Sequence, residues 1–278
     1  MIAIVGGGLV GLCAAWELVL RGKQVRIYEG QDVRKSASWA GAGMLAPEAE
    51  SFPDAAWKAR AREAAMGYSG WLQKLGGDID FLAPREVAGR ILDGHVDPRD
   101  MVRELGARLD GKADWVRRRV ASLDELKEEK VVITAGAWAS LLDPELPEVH
   151  PVKGYLLGWS GVAPETLPEV RHQGATYVLQ RRRGMVIAGS TEQEIGFGEE
   201  LDWVRLRDLR KRAEAVLPEL QGISPDLQWW GFRPATHDGY PVLRWWNERV
   251  LLAYGHYRNG ILLAPWTGEW VAREIAAH

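Results

Sequence analysis

The chain carries a single cysteine in 278 residues. One thiol rules out an internal disulfide and fits a reducing compartment, so the cytoplasm is the expected location. A basic excess is also missing. Lys and Arg number 35 against 38 Asp and Glu, a formal net charge of -3, which argues against a nucleic-acid binder. The triplets at 117–119 and 181–183 are basic runs, but both alternate with strand and turn patterns and read as solvated faces. No apolar run reaches membrane-spanning length; the best, LVGLCAAWELVL, is short and contains Glu17. No basic region leads into a long apolar segment at the start, so a signal peptide is not expected. Phe is scarce, 4 against 14 Trp, and the tryptophans read as bulk core filler. There is no G-x-S-x-G, no Walker loop and no internal repeat, and the six histidines show no metal-ligand spacing. What remains is 46% hydrophobic and 26% charged, a globular chain with a real core and one large or two ordinary domains.

The first pattern present is at the start. Ile2, Ile4 and Val5 read as a strand entering Gly6-Gly7-Gly8-Leu9-Val10-Gly11, which places G-x-G-x-x-G on Gly6, Gly8 and Gly11. A helical segment follows with Leu12, Ala15, Trp16 and Val19 on one spacing; Gly22 ends it, and QVRIYE is a second strand closing on Glu29. A lone glycine triad is weak. Between a strand and a helix, with an acid 18 residues past Gly11, it is a dinucleotide-binding signature. Gly6 permits the tight turn, Gly8 lets a pyrophosphate approach the backbone, and Gly11 lets helix and strand pack closely. The helix N-terminus supplies N–H groups and partial positive charge. Glu29 can accept hydrogen bonds from ribose hydroxyls and disfavours a 2′-phosphate, so NADP is not expected. This unit alone leaves NAD and FAD both open. Cys13, one turn into the helix, reads as core filler, so a covalent flavin link through cysteine is not expected.

Five later blocks occur in order: SASWAGAGMLAPEAE (36–50), DGHVDPRDMVREL (93–105), VVITAGAWAS (131–140), GFRPATHDGYPVL (231–243) and GHYRNGILLAPWTGE (255–269). Together with the N-terminal unit they resemble the glycine oxidase and D-amino-acid oxidase family, over residues 1 to about 275. Only the last two blocks are specific when taken singly. The chain is shorter than that family's members, with the shortage expected mainly between Leu75 and His95. The resemblance implies an α/β fold: a discontinuous Rossmann-like FAD-binding domain at 1–75, 96–149 and 234–278, and a smaller β-rich substrate domain at 76–95 and 150–233. It implies FAD, bound non-covalently. The contacts it implies come from Gly6, Gly8, Leu9, Val10, Gly11, Glu29 and Gly30, then from Ser38, Gly41, Gly43, Met44 and Leu45, then from Val120, Ala135, Gly136 and Trp138. Arg233 and the run Gly255, His256, Tyr257, Arg258, Asn259, Gly260, Ile261 and Leu262 complete that set.

Elsewhere the pattern gives helices at 52–75 and 98–110, a strand pair in ADWVRRRVASL, and a linker at 143–151. VKGYLLGWS, ATYVLQ and GMVIAGST are β-rich, with RRRG as a hairpin turn. DWVRLRDLRKRAEAVLPEL is a helix with Trp203, Leu206, Leu209, Ala213 and Val216 on one face.

The polar cluster at 255–260 precedes a helical turn that begins after Asn259. Donors at such a helix start, set at the pyrimidine side of a flavin, stabilise the charge that develops on reduction. Pro265 is expected to interrupt that helix, with Thr267 capping its continuation. A guanidinium grips a carboxylate through two parallel hydrogen bonds. The resemblance gives Arg233 that role, Arg258 the place of a second active-site arginine, Tyr177 a share of the carboxylate, and Met44 a place near flavin or substrate. On residue type alone, Arg233 also reads as a buried ion-pair partner, Tyr177 as strand filler, and His256 as either a cofactor contact or a structural hydrogen bond. Glu192 is equally consistent with facing the pocket or the solvent.

The activity implied is FAD-dependent oxidative deamination of glycine or another small amino acid. The amino acid passes its α-hydrogen as hydride to flavin N5, O2 is the oxidant and H2O2 leaves, and the imine hydrolyses to a keto acid and ammonia. Thiamine (thiazole) biosynthesis is the implied setting. The alternatives are a sarcosine or D-amino-acid oxidase or dehydrogenase and, from another class, a non-catalytic flavin-binding protein or an NAD-binding module. The partners expected are the amino acid and O2, with no nucleic acid and no membrane, and a homo-oligomer is left open.

Overall fold

The computed structural model describes residues 1–30 and 36–278. Strand β1 (Ile2–Val5) enters the glycine turn, helix α1 (Leu9–Leu20) leaves it, and β2 (Val25–Tyr28) returns parallel to β1. One helical turn, α2 (Ala37–Ala40), and β3 (Met44–Leu45) precede the long α3 (Ala55–Leu75). Four short strands follow, β4 (Phe81–Leu82), β5 (Arg85–Val87), β6 (Arg90–Leu92) and β7 (Gly94–Val96), and then α4 (Pro98–Leu109). β8 (Asp114–Val116) and β9 (Lys130–Ile133) lead to β10 (His150–Trp159), β11 (Arg171–Gln173), β12 (Thr176–Gln180) and β13 (Val186–Gly189). Helix α5 (Trp203–Val216), β14 (Leu227–Ala235), β15 (Val242–Trp245), β16 (Val250–Tyr254) and α6 (Gly260–Ala277) complete the chain.

Two sheets organise these elements. The first runs β15-β16-β9-β1-β2-β8 and is parallel except for its edge strand β15. A parallel sheet needs cover on both faces. In β1, Ile2 and Ile4 point into the helical layer of α1, α3, α4 and α6, while Ala3 and Val5 point to the opposite core with Val131, Ile133 and Leu252. This is the two-residue strand period at work. Gly268 lets α6 cross α1 closely, because a Cβ there would collide with the backbone of Cys13. The second sheet runs β11-β12-β13-β10-β14, antiparallel throughout, with α5 packed on one face through Leu206, Leu209 and Ala213.

Several expectations change. ADWVRRRVASL contributes one edge strand, β8, and an irregular segment in place of a strand pair. The basic triplets are exposed faces except at Arg181, which is only 4% exposed; Arg182 and Arg183 pair with Asp78 at 2.5 and 2.8 Å at the surface, and Arg118 pairs with Glu125. Trp203, in the first turn of α5, is 60% exposed, while Leu206, Leu209 and Ala213 carry the buried face. Of the tryptophans only Trp16, Trp71 and Trp159 are core residues. Others stack on cations, as Trp266 does under Arg60 and Trp229 under Arg99.

Pro265 does not interrupt α6, which is one helix from Gly260 to Ala277. Proline lacks the N–H that would bond the carbonyl four residues back, which here belongs to Ile261. The buried Tyr68 hydroxyl donates to that carbonyl at 3.0 Å, so the freed acceptor is satisfied across 193 residues of sequence. Thr267 therefore caps nothing. Tyr68→Phe should lower stability by about 1–2 kcal/mol, the cost of an orphaned buried carbonyl. Urea unfolding measures it, and an unshifted midpoint would remove this explanation.

Candidate active site

The C-terminal ends of four parallel strands open onto one cleft. Val5 ends β1 and Gly6 follows it, Tyr28 ends β2 and Glu29 follows it, Thr134 and Ala135 follow β9, and Tyr254 ends β16 with Gly255 after it. Ligands in open α/β sheets bind at such an edge. The opposite wall comes from the antiparallel sheet, through Gly154 and Leu156 of β10, Tyr177 of β12, and Gly231 to Pro234 of β14. The cleft encloses about 1660 Å³, counting its open mouth.

One end suits a dinucleotide. Gly6 has φ +112°, and a side chain there would strike the Thr134 carbonyl. Gly11 lies behind the turn against the Gly6 carbonyl, outside the cleft lining. Gly8 caps α1 without a side-chain bond, and the Leu9 N–H donates to Ser38 Oγ at 2.9 Å. No acid lies in the first turn of α1, whose positive end faces the cleft. Glu29 accepts the Gly7 N–H at 2.7 Å, which fixes its carboxylate beside the turn. Gly30, Arg119 and Val120 continue this wall, and Gly30 is small because the Arg119 backbone lies against it.

Along the middle run Ser38, Gly41, Gly43 and Met44 on one side and Ala135, Gly136 and Trp138 on the other. Gly43 has φ +76°, with the Val96 carbonyl where a Cβ would stand. Leu45 and Leu262 are core residues, fully packed in the helical layer. The far end holds Gly255, His256, Tyr257, Arg258, Gly260 and Ile261. Asn259 stands behind this lining, its N–H on the His256 carbonyl at 2.9 Å and its side-chain oxygen buried without a partner. His256 Nε2 lies 3.0 Å from Thr267 Oγ1, and burial lowers its pKa to about 4, so the ring is neutral near pH 7.

Four charged groups surround the far end. Arg233 donates from Nη1 to the Thr191 carbonyl at 3.1 Å and from Nη2 to Ser190 Oγ at 2.8 Å. Neither partner carries charge, and no ion pair involves Arg233 among the described residues. Burial, and then the nearby Arg258, lower its pKa; it remains a cation all the same. Gly154 makes its place, since any side chain there would overlap the guanidinium. Arg258 is the opposite case. It grips both oxygens of Glu50 at 2.7 and 3.0 Å and reaches Glu192 at 2.6 Å. Burial works against its charge, but the bonds to Glu50 and Glu192 raise its pKa. Glu192 is half-exposed at the rim; burial pushes its carboxyl up and Arg258 more than offsets that. Tyr177 lies between, its phenol pKa raised by burial. Its ring passes over Gly189, where a Cβ would overlap the hydroxyl.

The DAO family of FAD dependent oxidoreductases matches residues 1–88 and 82–274. The chain belongs to this family. Its first stretch ends and its second begins within 82–88, in the region of β4, β5 and β6. Among similar proteins, the bifunctional protein ThiO/ThiG of Nostoc sp. is 29% identical over 98% of this chain and 52% of its own length. The chain thus spans about half of that relative. Glycine oxidase of Bacillus licheniformis is 27% identical over 98% of this chain and 92% of its own length, in an alignment of 341 positions. The crystal structure of glycine oxidase from Geobacillus kaustophilus superposes with a TM-score of 0.86 at 24% identity, covering 99% of this chain and 94% of that one.

FAD is accordingly the cofactor of this family member. The cleft fits it on its own terms. The side-chain-free turn at Gly6 and Gly8, the positive end of α1 and the fixed carboxylate of Glu29 suit a pyrophosphate and a ribose. Cys13 is buried in α1, and burial and then Glu17 raise its pKa, so the thiol is inert packing. Among the described residues no helix is long and apolar enough to cross a membrane.

Residue patterns missed Glu50, Ser190, Gly154 and Gly189. Glu50 lies inside a quoted block, yet nothing local marks it, since its partner is 208 residues away. Gly154 interrupts a strand pattern, and that was the available signal.

His256 and His95, lowered by burial to about 4 and about 3, bind protons in the unfolded chain that the folded one refuses. Stability should therefore be fully present above about pH 6.5 and fall as pH drops toward 4, by up to about 1.4 kcal/mol per unit for each ring. Denaturant midpoints between pH 7 and 4 test this; His256→Asn should flatten the slope, and an unchanged slope would count against it.

Proposed function

We propose that this chain is an amino-acid oxidase that converts glycine or another small amino acid, with O2 and water, to the corresponding keto acid, ammonia and H2O2. The observation that carries the reading is Arg233, a cation in the cleft wall whose fixed partners are both neutral. Such a group is completed by an anionic ligand, and a carboxylate matches its two-pronged geometry. Tyr177 stands beside it to donate to the same carboxylate. The names of the glycine oxidase relatives support this substrate class, and the ThiO/ThiG relative supports a setting in thiamine biosynthesis.

The residues divide the work. Gly6, Gly8, Leu9, Val10 and Glu29 hold the phosphate and ribose end, with Gly30, Ser38 and Val120 along the same wall. Gly41, Gly43, Met44, Ala135, Gly136 and Trp138 line the path of the ring system. Gly255 to Ile261 close the far end, where the start of α6 offers backbone donors for developing negative charge. When bound, FAD supplies the electron acceptor for the substrate C–N bond and passes those electrons to O2. The chain fixes the substrate by its carboxylate, so the reacting carbon is oriented rather than merely near. We assign 1–75, 96–149 and 234–278 to the cofactor and 76–95 and 150–233 to the substrate side. The parallel sheet draws its strands from the first set, and the antiparallel sheet from the second, but for the end of β14.

Glycine, sarcosine or D-alanine added without O2 should bleach the flavin band of the yellow holoprotein, and added with O2 should release peroxide. Arg233→Ala should retain the flavin and lose about a hundredfold or more in kcat/KM, the scale of leaving a buried carboxylate unpaired. A flavin that no amino acid bleaches would end the oxidase reading.

A further inference from the structure

Beyond the carboxylate grip, the structure speaks to the other end of the substrate. Ser190 and Thr191, which hold Arg233, are the two residues before Glu192. Arg258 lines the cleft and also a side groove that opens past Ser190 and Glu192. The other charged residues lining that groove are each paired, Arg212 with Asp208 at 3.0 Å inside it and Arg205 with Asp202, outside the lining, at 3.3 Å. At the junction stand two cations, Arg233 and Arg258, and two carboxylates, Glu50 and Glu192. A ligand carboxylate on Arg233 tips the balance to one surplus negative charge. Glu50 is locked by two bonds to Arg258, whereas Glu192 makes a single bond to it and is half-exposed toward the groove. The surplus therefore resides at Glu192.

We propose that Glu192 is a specificity-determining residue: it gives the mouth of the site a negative potential that admits ligands whose free end is neutral or cationic and rejects a second carboxylate. The inference rests on Arg233 as the carboxylate site. It makes dicarboxylic amino acids poor ligands and favours amino acids bearing an ammonium or an amine substituent. Arg258, which lines the cleft, holds Glu192 at 2.6 Å, so the field of Glu192 acts on the ligand from a fixed position. Substitution by glutamine keeps the shape and removes the charge, and Glu50 still holds Arg258.

Three ligands of nearly equal size isolate the charge: propanoate, malonate and β-alanine. Each is titrated into the FAD-loaded protein and followed by the flavin difference spectrum, a readout independent of turnover. In the wild-type chain malonate should bind least tightly of the three. Glu192→Gln should reduce the malonate-to-β-alanine Kd ratio by about tenfold, as expected for one partly screened charge, and Glu192→Asp should largely keep it. A ratio that stays within about twofold in Glu192→Gln overturns the proposal while leaving the Arg233 site intact. If propanoate does not bind the wild-type protein at all, the Arg233 site fails and this inference with it.

Discussion

Arg233 is a half-buried guanidinium held by dipoles, with no ion pair among the described residues. Its hydrogen bonds go to a serine hydroxyl and a backbone carbonyl. Such partners satisfy donors but leave a net charge inside a medium of low polarity. The surrounding sheet is built to tolerate this. Gly154 on β10 leaves room for the planar head, and β13 delivers Ser190 and Thr191 at its end. The desolvation cost is met only when an anion arrives. Arg258 shows the alternative. With both oxygens of Glu50 and one of Glu192, its charge is already matched by two carboxylates. Two arginines in one cleft thus acquire different roles from their partners, not from their chemistry.

The two sheets contribute different physics to the same cleft. The parallel sheet ends in backbone: turns after β1, β9 and β16 expose N–H groups and little side-chain bulk. That suits a large polyanionic ligand with a flat ring, which needs close approach more than side-chain recognition. The antiparallel sheet presents side chains, Tyr177 and Arg233, on strands whose alternation aims them at one face. Its other face is filled by α5, so the wall stays rigid where orientation matters.

The parts of this arrangement that were legible in the sequence are those carried by local pattern. Strand, glycine turn and helix at 2–20 declare themselves by period and spacing, as do α3 and α4, while their Asp54 and Asp97 caps emerge only in the structure. Arg233 was singled out because resemblance placed it, while residue type alone left open an ion pair that the described residues do not contain. What stayed hidden depends on distant partners. Pro265 reads as a break until Tyr68 supplies the donor that its missing hydrogen bond requires. Trp203 fits an apolar stripe by spacing, but the buried face of α5 begins only one turn later, at Leu206. Glu192 was left between pocket and solvent, and it occupies the boundary, tied by Arg258 to one and half-open to the other.

Arg181 extends the same reasoning to the scaffold. It looks like one member of a basic hairpin turn, yet it is nearly as buried as the hydrophobic core. Its Nη2 donates to the Ala42 carbonyl at 2.6 Å and its Nη1 to His95 Nδ1 at 2.9 Å, with Asp97 at 3.8 Å. The contact demands that Nδ1 be unprotonated, because a guanidinium has no acceptor to offer. Burial, and then Arg181 itself, push the His95 pKa down to about 3, so the demand is met throughout the neutral range. The consequence is geometric. Ala42 lies between Gly41 and Gly43, on the strip that lines the middle of the cleft, and Arg181 starts the turn between β12 and β13. One buried cation therefore ties the cofactor side of the cleft to the sheet that carries Tyr177, next to the short strands where the family match divides. The same strip is tied to that sheet again by Trp229 Nε1, which donates to the Ala40 carbonyl at 2.8 Å, so both contacts hold the spacing of the walls and with it the reach of Arg233.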